Sequence, residues 1–444
     1  MLARRLNFTL LREETPVRRV LMVLLALGAS LALTQILAQT PAQTGAEAEI
    51  VMFLDPREPL ALYERYAEAY SAEHPGVSIR FETGGATSDQ QQQYLNTVLT
   101  SQSGELDIFQ IDVIRPATYA ASGWAEPLDG YFESEDARDA YLSEFLAGPV
   151  QADTIDGVLY AIPAYTDAQF LYYRADLLEK YGFEPPETWE ELKTQAQAIL
   201  EGEGDPTLQG FNYQGAAIEG TVCTFLEPLW SAGGDWQDAE GNITVDTPEA
   251  RRVLEWYQDT LDSGITKPNI AETATDNSRQ EFQAGDVVFM LNWGYAWARF
   301  QNDEDSQVKG MVGVAPLPYF EGGESATCVG GWQWAINPYS ENKDVAFEVI
   351  QHYSSPEFLR DLSVEASRIP ARSALYEDPA VLEANPHFAE FYDVIINARP
   401  RPVTPFYSEV SELIRSTMNA FFAGSLGIDE ALEQMQVGLE DILQ

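Results

Sequence analysis

The chain has 444 residues, 45% of them hydrophobic, with 26 basic against 70 acidic side chains and a formal net charge of −44. That length exceeds what one compact core supports and predicts two lobes, with enough apolar material for a core in each. So acidic a surface repels nucleic acid and anionic membranes and excludes both as partners. Lys is scarce (Lys180, Lys193, Lys267, Lys309 and Lys343), and carboxylate in excess over Lys predicts adaptation to high salt; a generically acidic exported protein is the plainer alternative.

The N-terminus reads as an export signal. Arg4, Arg5, Arg12, Arg18 and Arg19 precede an apolar run from Val20 to Leu37, and Ile36-Leu37-Ala38 resembles a small-residue cleavage site. Residues 1–38 are assigned to a cleaved signal peptide. An uncleaved anchor is the alternative, because the run approaches bilayer-spanning length. No Cys lies near Ala38, which excludes a lipid anchor and predicts a periplasmic protein. The remainder holds 21 basic and 68 acidic side chains, a net charge near −47.

From residue 49 onward, strand and helix signals alternate. Ile50–Leu54 reads as a strand. Leu60, Tyr63, Tyr66, Ala67 and Tyr70 recur at helical spacing up to His74-Pro75-Gly76. Val77–Phe81 is the next strand, 88–101 a helix, and Leu106–Ile111 a strand that ends in Asp112. Such an order predicts an α/β fold with a parallel sheet under helices. Gly157–Pro163 opens a second region, followed by a strand at Phe170–Tyr173 and a helix at Arg174–Tyr181. Thr188-Trp189-Glu190-Glu191 is a capping box and starts a helix to about Leu200. Thr247-Pro248 starts another, with Val253, Leu254, Tyr257 and Leu261 on its apolar face. Residues 280–291 give a short helix, Gly285 and the strand Val287–Leu291. Helices follow near 342–354, 356–364, 408–422 and 429–442.

Signatures of nucleophilic, nucleotide and zinc-hydrolase chemistry are absent: no Gly-x-Ser-x-Gly, phosphate-binding Gly loop, Gly-x-Gly-x-x-Gly after a strand, or His-Glu-x-x-His occurs. His74, His352 and His387 are widely spaced and there is no Cys-x-x-Cys, which argues against a transition-metal site; no cofactor is expected. Cys223 and Cys328 are able to pair in an oxidising compartment, closing a loop of about 100 residues that contributes roughly 4–5 kcal/mol in the chain-entropy account. Two separate buried thiols are the alternative.

The informative pattern is aromatic. Trp293-Gly294-Tyr295-Ala296-Trp297 and Gly330-Gly331-Trp332-Gln333-Trp334 set large rings beside glycine, which leaves ring faces uncovered. Sugars stack their C–H faces on such rings and need carboxylates, amides or guanidinium groups at their hydroxyl edge. Packing of the same rings into a core is the alternative. Asp112 ends a strand, and Asp55 and Glu58 follow one, where ligands of open α/β sheets sit; helix capping competes for these positions. Tyr165 and Asp167 follow Pro163, and Arg401 lies in the rigid Arg399-Pro-Arg-Pro-Val-Thr-Pro405.

Together these residues resemble the extracellular solute-binding proteins of ABC sugar importers, the maltose/trehalose-type group (family 1), over nearly all of residues 49–442. The stretches that carry the resemblance include Ala121–Leu128, Tyr160-Ala-Ile-Pro163, Tyr172–Tyr181, Phe282–Phe289, Asn292–Trp297, Gly313–Pro318, Gly330-Gly-Trp332 and Arg401–Pro405. The resemblance implies the two-lobed type II periplasmic binding fold with its hinge crossed three times, near 163–166, 327–330 and 372–376. It divides the chain into 46–164 and 328–373 (lobe 1) and 165–327 and 374–444 (lobe 2). It places Glu58, Asp112, Tyr165, Asp167, Trp293, Tyr295, Gly331, Trp332 and Arg401 at the ligand. It also implies a non-enzymatic monomer that captures a small sugar, an α-linked disaccharide such as trehalose, maltose or sucrose, and delivers it to membrane permease subunits. A secreted glycoside hydrolase or a binder of a different small solute is the alternative. One departure stands out: where similar proteins carry an Arg early in the helix after residue 87, this chain has Gln90–Gln93.

Overall fold

A computed structural model describes residues 48–443; the expected signal peptide, residues 1–38, lies outside the described residues. No helix among the described residues is long and apolar enough to cross a membrane. Ten strands are described: β1 (Ala48–Leu54), β2 (Val77–Thr83), β3 (Ile108–Asp112), β4 (Thr154–Ile155), β5 (Val158–Leu159), β6 (Ile162–Arg174), β7 (Gln209–Asn212), β8 (Val287–Trp293), β9 (Val312–Ala315) and β10 (Val329–Ile336). All except the small β4–β5 hairpin join one sheet in the order β2-β1-β3-β10-β6-β8-β7, with β9 also on β6.

The outer pairs are parallel, as the βαβ pattern predicts: β1 with β2 and β3, and β7 with β8. The centre departs from the expected parallel sheet. β10 runs antiparallel to both β3 and β6, and β6 antiparallel to β8 and β9. β10 itself was not expected as a strand, because Val329-Gly-Gly-Trp carries two residues of poor strand propensity.

The sheet is shared by two sets of cores. Ile50, Leu62, Tyr63, Ile108, Trp334, Tyr353 and Phe358 belong to one half, and every member of its two clusters lies in 50–165 or 332–375. Trp189, Phe211, Phe225, Tyr257, Phe289, Met418 and Leu432 belong to the other half. Its members, Leu146 apart, come from 168–328 and 369–439. The chain therefore passes from one half to the other inside β6, at the start of β10 and between Ile369 and Tyr376.

Helices form where the sequence places them. The helix Trp189–Glu203 opens with the full capping box of Thr188 and Glu191, and Pro248–Asp262 opens with Thr247 accepting from the Ala250 N–H. Among the helices that the sequence did not mark is Gly220–Ser231, buried along its whole length and so without the polar stripe that marks a surface helix. Pro228 within it has no N–H for the Thr224 carbonyl; the Tyr257 hydroxyl donates to that oxygen instead, at 2.8 Å.

Candidate ligand-binding site

The strand register assembles the site. Trp332 on β10 lies opposite Asp112 of β3 on one side and Tyr165 of β6 on the other, so the three share one row across the sheet. Two and four residues farther along β6, Asp167 pairs with Gly330 and Gln169 with Trp293, which carries the site into the second half. A bulge falls between Trp332 and Gln333, opposite Pro163, a residue that cannot donate to the ladder. Glycine is required on β10. A Cβ on Gly330 would lie 2.6 Å from the Trp293 ring, and Gly331 has φ +118° with the Tyr165 carbonyl 2.4 Å from where its Cβ would be.

These residues line a cleft of about 600 Å³, counting its open mouth, together with Arg57, Thr87, Ser88, Gln214, Glu219, Thr275 and Arg368. Of the residues expected at the ligand, Asp112, Tyr165, Asp167, Trp293, Tyr295, Gly331, Trp332 and Arg401 line it; Glu58 does not. Glu58 is buried behind the wall, paired with Arg368 at 2.8 Å and accepting from the Tyr63 hydroxyl at 3.0 Å. It supports a guanidinium that faces the cleft. Asp55, the other acid after β1, is also withdrawn: it accepts from Arg57 and Gln91, and the guanidinium partners hold its carboxyl down at about 2 against the burial penalty.

The capping alternative fails at Asp112. The helix Pro116–Ser122 has no side-chain cap, and the Asp112 carboxylate instead accepts from Arg401 at 3.1 Å. Arg401 also donates to Glu219 at 2.9 Å and reaches the Val329 carbonyl at 3.4 Å. Asp167 differs from the other acids of the cleft. Its Oδ1 accepts from the Ala168 and Gly294 N–H groups, each at 2.9 Å, but no guanidinium pairs with it among the described residues. Burial dominates and pushes its carboxyl up to about 6. The rings are held from behind: the Tyr295 hydroxyl donates to Asp276 at 3.1 Å, and Tyr172 donates to the Trp293 carbonyl at 2.9 Å. Arg368 lies over Tyr165 and Tyr295, 4.8 and 5.1 Å from their centroids.

The aromatic bursts divide. Trp293 is half-buried and Trp332 is 9% exposed at the cleft, whereas Trp334 is fully buried and Trp297 donates to the Ala384 carbonyl. The core alternative holds for those last two. Sequence reasoning missed Arg57, Arg368 and Glu219. Arg57 lies two residues from Asp55 and was visible as a charged neighbour of a strand end; nothing local marked Arg368 or Glu219. Where an Arg was missing after residue 87, Thr87 and Ser88 face the cleft, and Gln91 and Gln92 turn to Asp55 and Ser408. Cys223 and Cys328 are both buried and unbonded to each other.

The sequence profile of the bacterial extracellular solute-binding protein family matches residues 55–358. A "Probable ABC transporter-binding protein" of Deinococcus radiodurans is 35% identical over 373 residues, 82% of this chain and 86% of that one. The maltose-bound T. maritima MalE3 structure superimposes with a TM-score of 0.84 at 36% identity, covering 89% of this chain and 100% of that chain. The GacH receptor of Streptomyces glaucescens, solved unliganded and with acarbose, superimposes with a TM-score of 0.78 at 25% identity, covering 89% and 98%. With two lobes meeting at a cleft of rings, carboxylates and guanidinium groups, the chain belongs to the bacterial extracellular solute-binding protein family.

Proposed function

We propose that the protein captures an α-linked disaccharide, with trehalose, maltose and sucrose as the leading forms, between its lobes and delivers it to the permease of an ABC importer. The observation that carries this reading is the row Asp112–Trp332–Tyr165, with Asp167 and Trp293 beyond it, which together offer ring faces and hydroxyl acceptors in one cleft. Two indole rings lining one cleft, Trp293 and Trp332, suit two sugar units. The charges of the cleft support an uncharged ligand. Arg57, Arg368 and Arg401 each carry a carboxylate partner, Asp55, Glu58 and Asp112 respectively, so an anion finds no unpaired guanidinium, while Asp167 remains as an acceptor for hydroxyl groups. The maltose and acarbose complexes of similar proteins support an α-glucoside.

In this reading 46–164 with 328–373 and 165–327 with 374–444 are the two jaws of a monomer, exported by residues 1–38, which bends at the three crossings. The ligand drives closure through its higher affinity for the closed form. Titration calorimetry against trehalose, maltose, sucrose and monosaccharides tests it. One disaccharide is expected to bind stoichiometrically and to be recovered intact. Binding confined to monosaccharides or polyols overturns the disaccharide, and release of reducing sugar overturns the binding-only reading.

A further inference from the structure

The helix Gly220–Ser231 carries Cys223 and Glu227 four residues apart, which places them on one face. Cys328, immediately before β10, packs against that face. The two Sγ atoms and a Glu227 carboxylate oxygen all lie within 4.8 Å of one another, and all three residues are fully buried. The carboxylate is fixed in orientation. Its Oε1 accepts from the Cys328 N–H at 2.9 Å and from the Thr327 hydroxyl at 3.3 Å. Its Oε2 is buried with no hydrogen-bond partner. A buried carboxylate oxygen left unpaired costs free energy, and here it adjoins two soft donors.

We propose that Cys223, Cys328 and Glu227 form a structural site for a thiophilic divalent cation, zinc by preference. Zinc bonds of about 2.3 Å to sulfur and about 2.0–2.2 Å to oxygen set neighbouring donors about 3.5–4 Å apart. The three donors reach that spacing by closing about an ångström. A water completes the tetrahedron, and binding displaces the thiol protons to solvent. Two thiolates and a carboxylate exceed the charge of the cation by one; the Arg401 guanidinium nearby is shared with Asp112 and Glu219. The widely spaced His residues and the lack of Cys-x-x-Cys argued against a transition-metal site; the fold brings together donors about 100 residues apart. The cation ties the buried helix to the base of β10, the strand that carries Gly330, Gly331 and Trp332.

The test uses the mature chain, denatured and refolded under a thiol-free reductant with either Co²⁺ or a chelator. Co²⁺ is expected to give a thiolate charge-transfer band that saturates at one equivalent and is displaced by Zn²⁺, with a higher Tm than the chelated protein. Cys223→Ser and Cys328→Ser are expected to abolish the band while retaining native far-UV dichroism. Glu227→Gln is expected to keep the band and weaken affinity at least about tenfold. If a serine variant fails to fold, the Glu227→Gln titration and the wild-type stoichiometry still decide. Two titratable thiols with no saturable band overturn the proposal. Absence of free thiols in protein prepared without reductant overturns it in favour of a disulfide.

Discussion

Trp332 and Asp167 do different work in the cleft, and each predicts a separate measurement. Trp332 offers a ring at the meeting of three strands, so Trp332→Ala is expected to weaken ligand binding by about 1–3 kcal/mol with the fold intact; unchanged affinity by calorimetry removes the ring from the site. Asp167 is the acid of the cleft without a guanidinium, and burial raises its carboxyl to about 6. Its charged form accepts a sugar hydroxyl most strongly, so affinity is expected to fall as pH drops through about 6 and to become flat in Asp167→Asn. Stability has the opposite sign. A raised value means that the group's contribution is present below its unfolded value near 3.8 and is lost as pH rises through about 6. Asp167→Asn is therefore expected to raise the Tm of the unliganded protein at neutral pH while it weakens binding.

At the scale of elements, the third crossing holds the cleft wall through one ion pair. Arg368 follows the helix Pro356–Ala366, is 4% exposed, and faces the cleft because Glu58 after β1 anchors it. Removing the cation leaves Glu58 buried without its partner. Arg368→Met is expected to cost about 3–5 kcal/mol of stability in urea unfolding, and a loss below about 1 kcal/mol would show that water or a neighbour replaces the guanidinium. A second buried acid lies far from the cleft. Asp153, at the end of the helix Ala147–Asp153, is fully buried with both oxygens unpartnered, and burial pushes its carboxyl well above 3.8. Its contribution is greatest below pH 3.8 and is lost as pH rises toward its folded value. Asp153→Asn is expected to flatten that decline in a Tm-against-pH series.

The whole molecule carries its charge and its closure across the cleft. Asp89, in the first turn of the helix Ser88–Thr100, pairs with Arg415 and accepts from the Glu219 N–H at 3.2 Å, both in the opposite half. Gln92 and Arg115 reach Ser408 in the same way, at 3.1 and 3.2 Å. These polar contacts join the two halves beside the cleft, and Asp89→Ala is expected to raise the ligand off-rate in stopped-flow fluorescence without a change in Tm. The chain, with a net charge of −44, repels itself beyond the reach of these pairs. Salt screens over about 10 Å at 0.1 M, so the Tm is expected to rise between low salt and molar NaCl; a flat or falling Tm refutes adaptation to salt.

The sequence by itself determined what is local. Periodicity located the helices Leu60–Glu73 and Ile428–Leu443, and periodicity with caps located Trp189–Glu203 and Pro248–Asp262, because each has a polar face to read. The Trp-Gly and Gly-Gly-Trp pairs marked Trp293, Tyr295 and Trp332, which line the cleft, because a ring beside glycine is a neighbour relation along the chain. Tertiary structure alone decided the antiparallel centre of the sheet, the buried helix Gly220–Ser231, and the places of Glu58, Arg368 and Glu219. Pairings between β3, β6 and β10 join residues some 160 to 220 positions apart, and no period in the chain encodes them. Packing then decided which acid lines the cleft and which lies behind its wall, since Asp112 and the acids Asp55 and Glu58 follow the same kind of strand end yet face opposite sides of that wall.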